Sequence, residues 1–138
     1  MFEQCLYFNT TSLARQLDRE WSAAFKPFGL TPSQAFILRV VLEKPDSFQN
    51  QWAQEMNITK PTASRVLDGL ERLGLIDRRQ SDSDGREIQI VPTRKAKRMK
   101  EGIHGASAEV TKRFKKSMGA NEFDDVVSKL RGISASLK

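Results

Sequence analysis

The sequence predicts a mostly α-helical fold with one small β-hairpin. Two observations carry that expectation. Apolar residues recur at helical spacing through most of the 138-residue chain. Between residues 75 and 91 the period changes to strand-like alternation on either side of the turn-forming stretch Ser81-Asp82-Ser83-Asp84-Gly85. Two short helices meeting at a tight turn, then a hairpin, with a long helix at each end of the chain, is the pattern of a winged helix-turn-helix with long terminal dimerisation helices.

The elements follow in order. Glu3 to Phe28 reads as one long helix with the apolar stripe Leu6, Leu13, Leu17, Trp21, Phe25 and Phe28, ended by Gly29. Thr31 is placed to cap a second helix, with Pro32 at its first position and Phe36, Ile37, Val40 and Val41 on the buried face; Pro45 and Asp46 break it. A short helix over about 49–56 buries Trp52, Ala53 and Met56, and Asn57-Ile58 makes the turn. The next helix starts at its N-cap, Thr59, and runs to about Leu73. Ala63, Val66, Leu67, Leu70 and Leu73 face inward; Thr62, Ser64, Arg65, Asp68 and Arg72 face away; Gly74 stops it. Strands are expected over 75–80 and 86–91. Thr93 then caps a long helix to about Ser117 with the stripe Met99, Ile103, Val110, Phe114 and Met118. After Gly119-Ala120 a last helix from about Asn121 carries Phe123, Val126, Val127, Leu130, Ile133 and Leu137. The terminal stripes lack partners of their own, and pairing with a second copy is the economical way to cover them. The expected division is therefore a winged-helix unit over 31–93 and a helical dimerisation region over 1–30 and 94–138.

Charge points to the partner. The net charge is +6, and from Lys60 to Lys100 eleven Lys and Arg stand against six Asp and Glu, so nearly the whole excess lies in under a third of the chain. Such clustering is the footprint of a nucleic-acid binder. A helix fits the major groove of double-stranded DNA and reaches base edges from its N-terminal residues. Here those are Lys60, Thr62, Ser64 and Arg65. Arg78 and Arg79 stand at the hairpin base, near expected phosphates. At the hairpin tip Arg86 is suited to a narrow minor groove, with Asp84 to aim it. Each feature also has a bland reading, a solvated helix face or an ordinary charged turn.

Other chemistry finds little support. His104 is the only histidine and reads as a surface or interface residue; with one cysteine there is no zinc-ligand cluster, and no nucleophilic constellation or phosphate-cradling glycine loop stands out. The expectation is no enzyme activity, no metal and no cofactor. No apolar run approaches the about 20 residues of a membrane span, the N-terminus lacks a signal-peptide core, and the lone Cys5 suits a reducing compartment. These features predict a cytoplasmic protein without membrane association.

Gly29-Leu-Thr-Pro-Ser-Gln34, the helix-turn-helix segment, Leu-Glu-Arg-Leu-Gly-Leu-Ile-Asp-Arg-Arg over 70–79, Asp84-Gly85-Arg86 and Val91-Pro92-Thr93 resemble the MarR family of transcriptional regulators. The resemblance spans essentially the whole chain. It implies an obligate homodimer with intertwined terminal helices, two winged-helix lobes on a pseudo-palindromic operator, and a repressor's role. It also puts Lys60, Thr62, Ser64 and Arg65 at the groove-reading positions and Asp84 and Arg86 at the wing tip. Ala96 replaces a common glycine after the wing, and Pro61 sits in the first turn of the recognition helix, where proline is tolerated.

Some family members release DNA when a small, often phenolic ligand binds between lobe and dimer helices. Trp21, Phe25, Phe28, Phe36 and Arg39 border the corresponding region as candidates for an aromatic effector, with core packing the competing reading. Peroxide-sensing members carry a reactive N-terminal cysteine with tyrosine support, one tyrosine four residues on; here that position is Asn9, and the only tyrosine is Tyr7. Cys5 therefore reads as a packed or interface residue, with a redox-sensing regulator as the alternative. A winged-helix protein-interaction module is the rival from another class.

Overall fold

The computed structural model describes residues 1–80 and 87–138, and of residues 50–52 the main chain alone. The expected turn over 81–85, Arg86 and the burial of the Trp52 side chain lie outside the described residues.

Helix α1 spans Leu6–Phe25, with Cys5 at its N-cap. It starts later and stops earlier than the expected helix over Glu3 to Phe28. Lys26–Phe28 tighten into a 3-10 turn because Pro27 has no N–H to give an α-helical bond and its ring crowds the preceding turn. Gly29 then reverses the chain with φ +71°, a conformation glycine adopts without a Cβ penalty. Helix α2, Pro32–Glu43, begins at a complete capping box: Thr31 Oγ1 accepts from the Gln34 N–H, and Gln34 Oε1 accepts from the Thr31 N–H.

The chain next forms a strand that periodicity did not reveal, β1 at Ser47–Phe48. Two residues are too few to show alternation, and the strand exists only because β3 lies alongside. Helix α3, Gln49–Glu55, and helix α4, Lys60–Arg72, meet at a turn in which Asn57 takes φ +57°. Leu73 does not face inward as expected. It is the C-cap of α4 and 40% exposed. Gly74, with φ +73°, turns the chain so that Leu75 fills the core position instead. The Gly74 N–H donates to Glu71 O and the Leu75 N–H to Leu70 O at 3.0 Å each, the paired bonds that close a helix on a left-handed glycine.

Strand β2, Ile76–Gln80, pairs antiparallel with β3, Ile88–Pro92, in the register Ile76 opposite Pro92 and Gln80 opposite Ile88. Ser47 of β1 stands opposite Ile90, giving the sheet order β1-β3-β2. The fold is thus mostly helical with a small three-stranded antiparallel sheet rather than a lone hairpin. Helix α5, Arg94–Met118, capped by Thr93, and helix α6, Ala120–Ser136, complete the chain.

One core joins these elements. Phe25, Ile37, Leu38, Val41, Leu67, Leu70, Leu75, Ile76, Ile90 and Ile103 are all buried in it. Full burial of a large apolar side chain is worth about 1.5–3 kcal/mol, so a handful of these suffices to hold α4 and the sheet in place. Among the described residues no helix is long and apolar enough to cross a membrane.

Candidate nucleic-acid interface

The first turn of α4 is presented outward. Ala63, Leu67 and Leu70 anchor the opposite face in the core, which leaves Lys60 and Arg65 exposed and Thr62 and Ser64 half-buried. Thr59 Oγ1 accepts from the Thr62 N–H at 3.4 Å, and Pro61 falls where a helix needs no N–H donor. The Thr59 and Thr62 hydroxyls lie 2.9 Å apart, and Arg65 Nη2 donates to Thr62 Oγ1 at 3.4 Å. Two cations and two hydroxyls therefore occupy the positive end of the helix dipole, where an anion is favoured.

The two arginines of β2 part company. Arg79 is exposed. The Arg78 side chain is only 17% exposed and lies against α4. Asp84 and Arg86 fall outside the described residues. The basic start of α5 has a local partner for one of its cations: Lys95 Nζ donates to Leu73 O at 3.1 Å, near the end of α4, while Arg94, Lys97 and Arg98 are exposed. Cations suit the negative C-terminal end of a helix.

The residues nominated for an effector cleft divide in two. Phe36 and Arg39 line a cleft of about 280 Å³ together with Val40, Glu43, Met56 and His104. Phe25 does not. It is fully buried, its ring edge-on to Phe36 at 5.9 Å. Trp21 instead stacks on Phe114 at 5.8 Å, and its Nε1 donates to Ser107 Oγ at 3.3 Å. The Arg39 guanidinium lies over the Phe36 ring, and its Nε donates to His104 Nδ1 at 3.0 Å. Burial lowers the Arg39 pKa, and the nearby Glu43 carboxylate opposes that shift. His104, read from sequence as a surface or interface residue, links α5 to α2. No signal in the sequence marks that pair, because its partners are 65 positions apart.

Cys5 is exposed, and its Sγ accepts from the Phe8 N–H at 3.5 Å. No group of acidic, histidine and cysteine residues suited to a metal ion occurs among the described residues.

A helix-turn-helix followed by an antiparallel β pair, with a basic helix end turned outward, defines a winged-helix DNA-binding regulator. Residues 28–87 match the sequence model of the MarR family. An HTH-type transcriptional regulator of Bacillus subtilis, YybA, is 27% identical over 104 residues, covering 72% of this chain and 69% of its own. The fold is shared with S. aureus MepR, solved in a complex with DNA (TM-score 0.87, 20% identity, 97% of this chain and 99% of that one). It is shared too with the transcriptional repressor CouR, solved on a 23-mer DNA duplex (TM-score 0.84, 24% identity, 96% and 94%). Over residues 28–87 the chain is similar to the MarR family of transcriptional regulators, and its fold is the one those solved regulators share.

Proposed function

We propose that the protein is a repressor that binds a pseudo-palindromic DNA operator as a homodimer in the cytoplasm. The observation that carries this reading is the outward first turn of α4, with Lys60, Thr62, Ser64 and Arg65 beside an antiparallel β pair in the most basic part of the chain. In that reading α4 enters the major groove and Arg79 meets phosphate. On sequence grounds, Arg86 aimed by Asp84 reaches the flanking minor groove.

The homodimer is supported by the terminal helices. Leu6 and Leu13 of α1 and Val126, Val127, Leu130 and Ile133 of α6 are each more than a third exposed. A second copy covers these stripes and sets two α4 helices facing the same side of a duplex. The effector is a small aromatic molecule in the Phe36–Arg39 cleft. That cleft lies between α2, which packs on α4, and α5, which leads to the dimer helices. A ligand there separates the two and changes the spacing of the reading heads.

Selection from a random duplex library with the full chain, followed by footprinting, tests the reading. Two half-sites about 10 base pairs apart, centre to centre, or a multiple of that, are expected. Failure to enrich any sequence rejects it.

A further inference from the structure

We infer that Arg78 is a positioning residue: it locks the wing strand β2 to the recognition helix α4, sets the register in which the two read one DNA site, and is not itself a phosphate ligand. The inference rests on the DNA-binding reading above and adds to it a device for specificity.

The geometry is that of a bracket. Arg78 Nη1 lies 2.5 Å from Asp68 Oδ1 and 4.0 Å from Glu71 Oε1, and Nη2 donates to the main-chain oxygen of Ser64 at 3.0 Å. Residues 64, 68 and 71 lie along one face of α4, so a single guanidinium spans about two turns of it. One bond goes to the helix main chain and one to a carboxylate. Rotation of α4 about its axis breaks the first, and sliding along β2 breaks the second. Only the planar, permanently charged arginine fork makes both bonds at once; a lysine ammonium is a point.

The strand dictates which arginine does this. Successive side chains on β2 alternate in direction, so Arg78 shares the inner side with the fully buried Ile76 while Arg79 is turned to solvent. Arg78 Nε is buried and has no partner among the described residues, so the side chain is held where one of its own donors goes unused. A group free to seek phosphate would not be held this way. Ser64, whose carbonyl is gripped, is itself one of the proposed reading residues. A shift of the bracket therefore moves the reading surface directly.

The test uses full-length wild type, Arg78→Lys, Asp68→Asn and the double variant, all conservative in size. The probes are a duplex selected by the wild type, a scrambled duplex of equal length, and a salt titration of each. Arg78→Lys should lose roughly tenfold or more on the selected duplex, the scale of a lost charge-assisted hydrogen bond, with the scrambled affinity and the salt slope unchanged. Asp68→Asn removes a negative charge from α4 and should still weaken binding to the selected duplex. The double variant should be no worse than the poorer single, because both remove the same contact. A phosphate-ligand role predicts the reverse: Arg78→Lys retained, and Asp68→Asn tighter on both duplexes. That result overturns the proposal, as does an equal loss on both duplexes with a lowered melting temperature, which marks a merely structural role. If the wild type enriches no sequence, the DNA-binding reading falls and takes this proposal with it. If it enriches one and the variants follow the phosphate pattern, only this proposal falls.

Discussion

Helices α4 and α6 are both amphipathic, but they use their apolar faces differently. In α4, Ala63, Leu67 and Leu70 are at most 1% exposed, sealed by α2 and β2. In α6, Val126, Val127, Leu130 and Ile133 are all 37–42% exposed, and no residue of the helix is buried by any described part of the chain. An apolar stripe is thus a request for a partner, and its location in the chain decides whether the partner is local. α4 lies between elements that fold back on it. Among the described residues α6 packs chiefly on α5, and the rest of its stripe is left partly exposed. The lobe around α4 closes its own core, while the terminal helices leave apolar stripes that the proposed homodimer would cover.

Four variants break or sharpen this contrast. The largest effect is expected for Leu67→Ala, which empties a fully buried site in the lobe and should lower unfolding free energy by about 2–5 kcal/mol, seen in thermal or denaturant melts. An effect below about 1 kcal/mol would mean that the lobe core is looser than its burial implies.

The double substitution Leu130→Asp and Ile133→Asp on α6 should leave the lobe folded and shift sedimentation to that of the 15.7 kDa single chain. Wild-type melting should rise with protein concentration, as for any associating fold, and that of the variant should not. A wild type that already sediments as a single chain at micromolar concentration would remove the homodimer.

Arg65→Ala acts on the reading surface alone. Loss of a bidentate base contact is expected to weaken operator binding by about 1–3 kcal/mol and to relax preference at one position per half-site. Stability should move by less than about 0.5 kcal/mol, because the side chain is exposed. A uniform loss on all sequences would reassign Arg65 to phosphate, and no loss would take it out of the interface.

The smallest effect is expected for Cys5→Ser. Serine is a preferred N-cap and replaces a weak sulfur acceptor, so stability should hold within about 0.5 kcal/mol or rise slightly. DNA affinity should be the same with and without organic peroxide. Loss of a peroxide response that the wild type possesses would make the chain a redox sensor.

Much of the fold was legible because its signals are local. Thr31, Thr59 and Thr93 cap the helices they were expected to cap, and the glycines at 29 and 74 take the left-handed conformations that end segments. Where local signals were absent or misread, the expectation slipped. Pro27 shortened α1, β1 was too short to alternate, and Leu73 yielded its place to Leu75 across a glycine turn. The site was less legible than the fold. Sequence placed Arg78 and Arg79 together as neighbours of phosphate; strand alternation sends them to opposite sides. The resemblance grouped Trp21, Phe25 and Phe28 with Phe36 and Arg39 as residues that are apolar or nearby in sequence, which does not distinguish a cleft wall from a core.

By itself the sequence determined the helices, their caps, the change of period at the wing, the clustering of positive charge and the family pattern. All of these depend on backbone preferences and on side chains within a few positions of one another. The tertiary structure alone decided the grip of Arg78 on Asp68 and Ser64, the Arg39–His104 link between α2 and α5, and the division of the aromatic residues between core and cleft. Those depend on which surfaces meet once helices pack. Packing is set by the summed shape and burial of many side chains, so a pair distant along the chain leaves no local trace of its meeting.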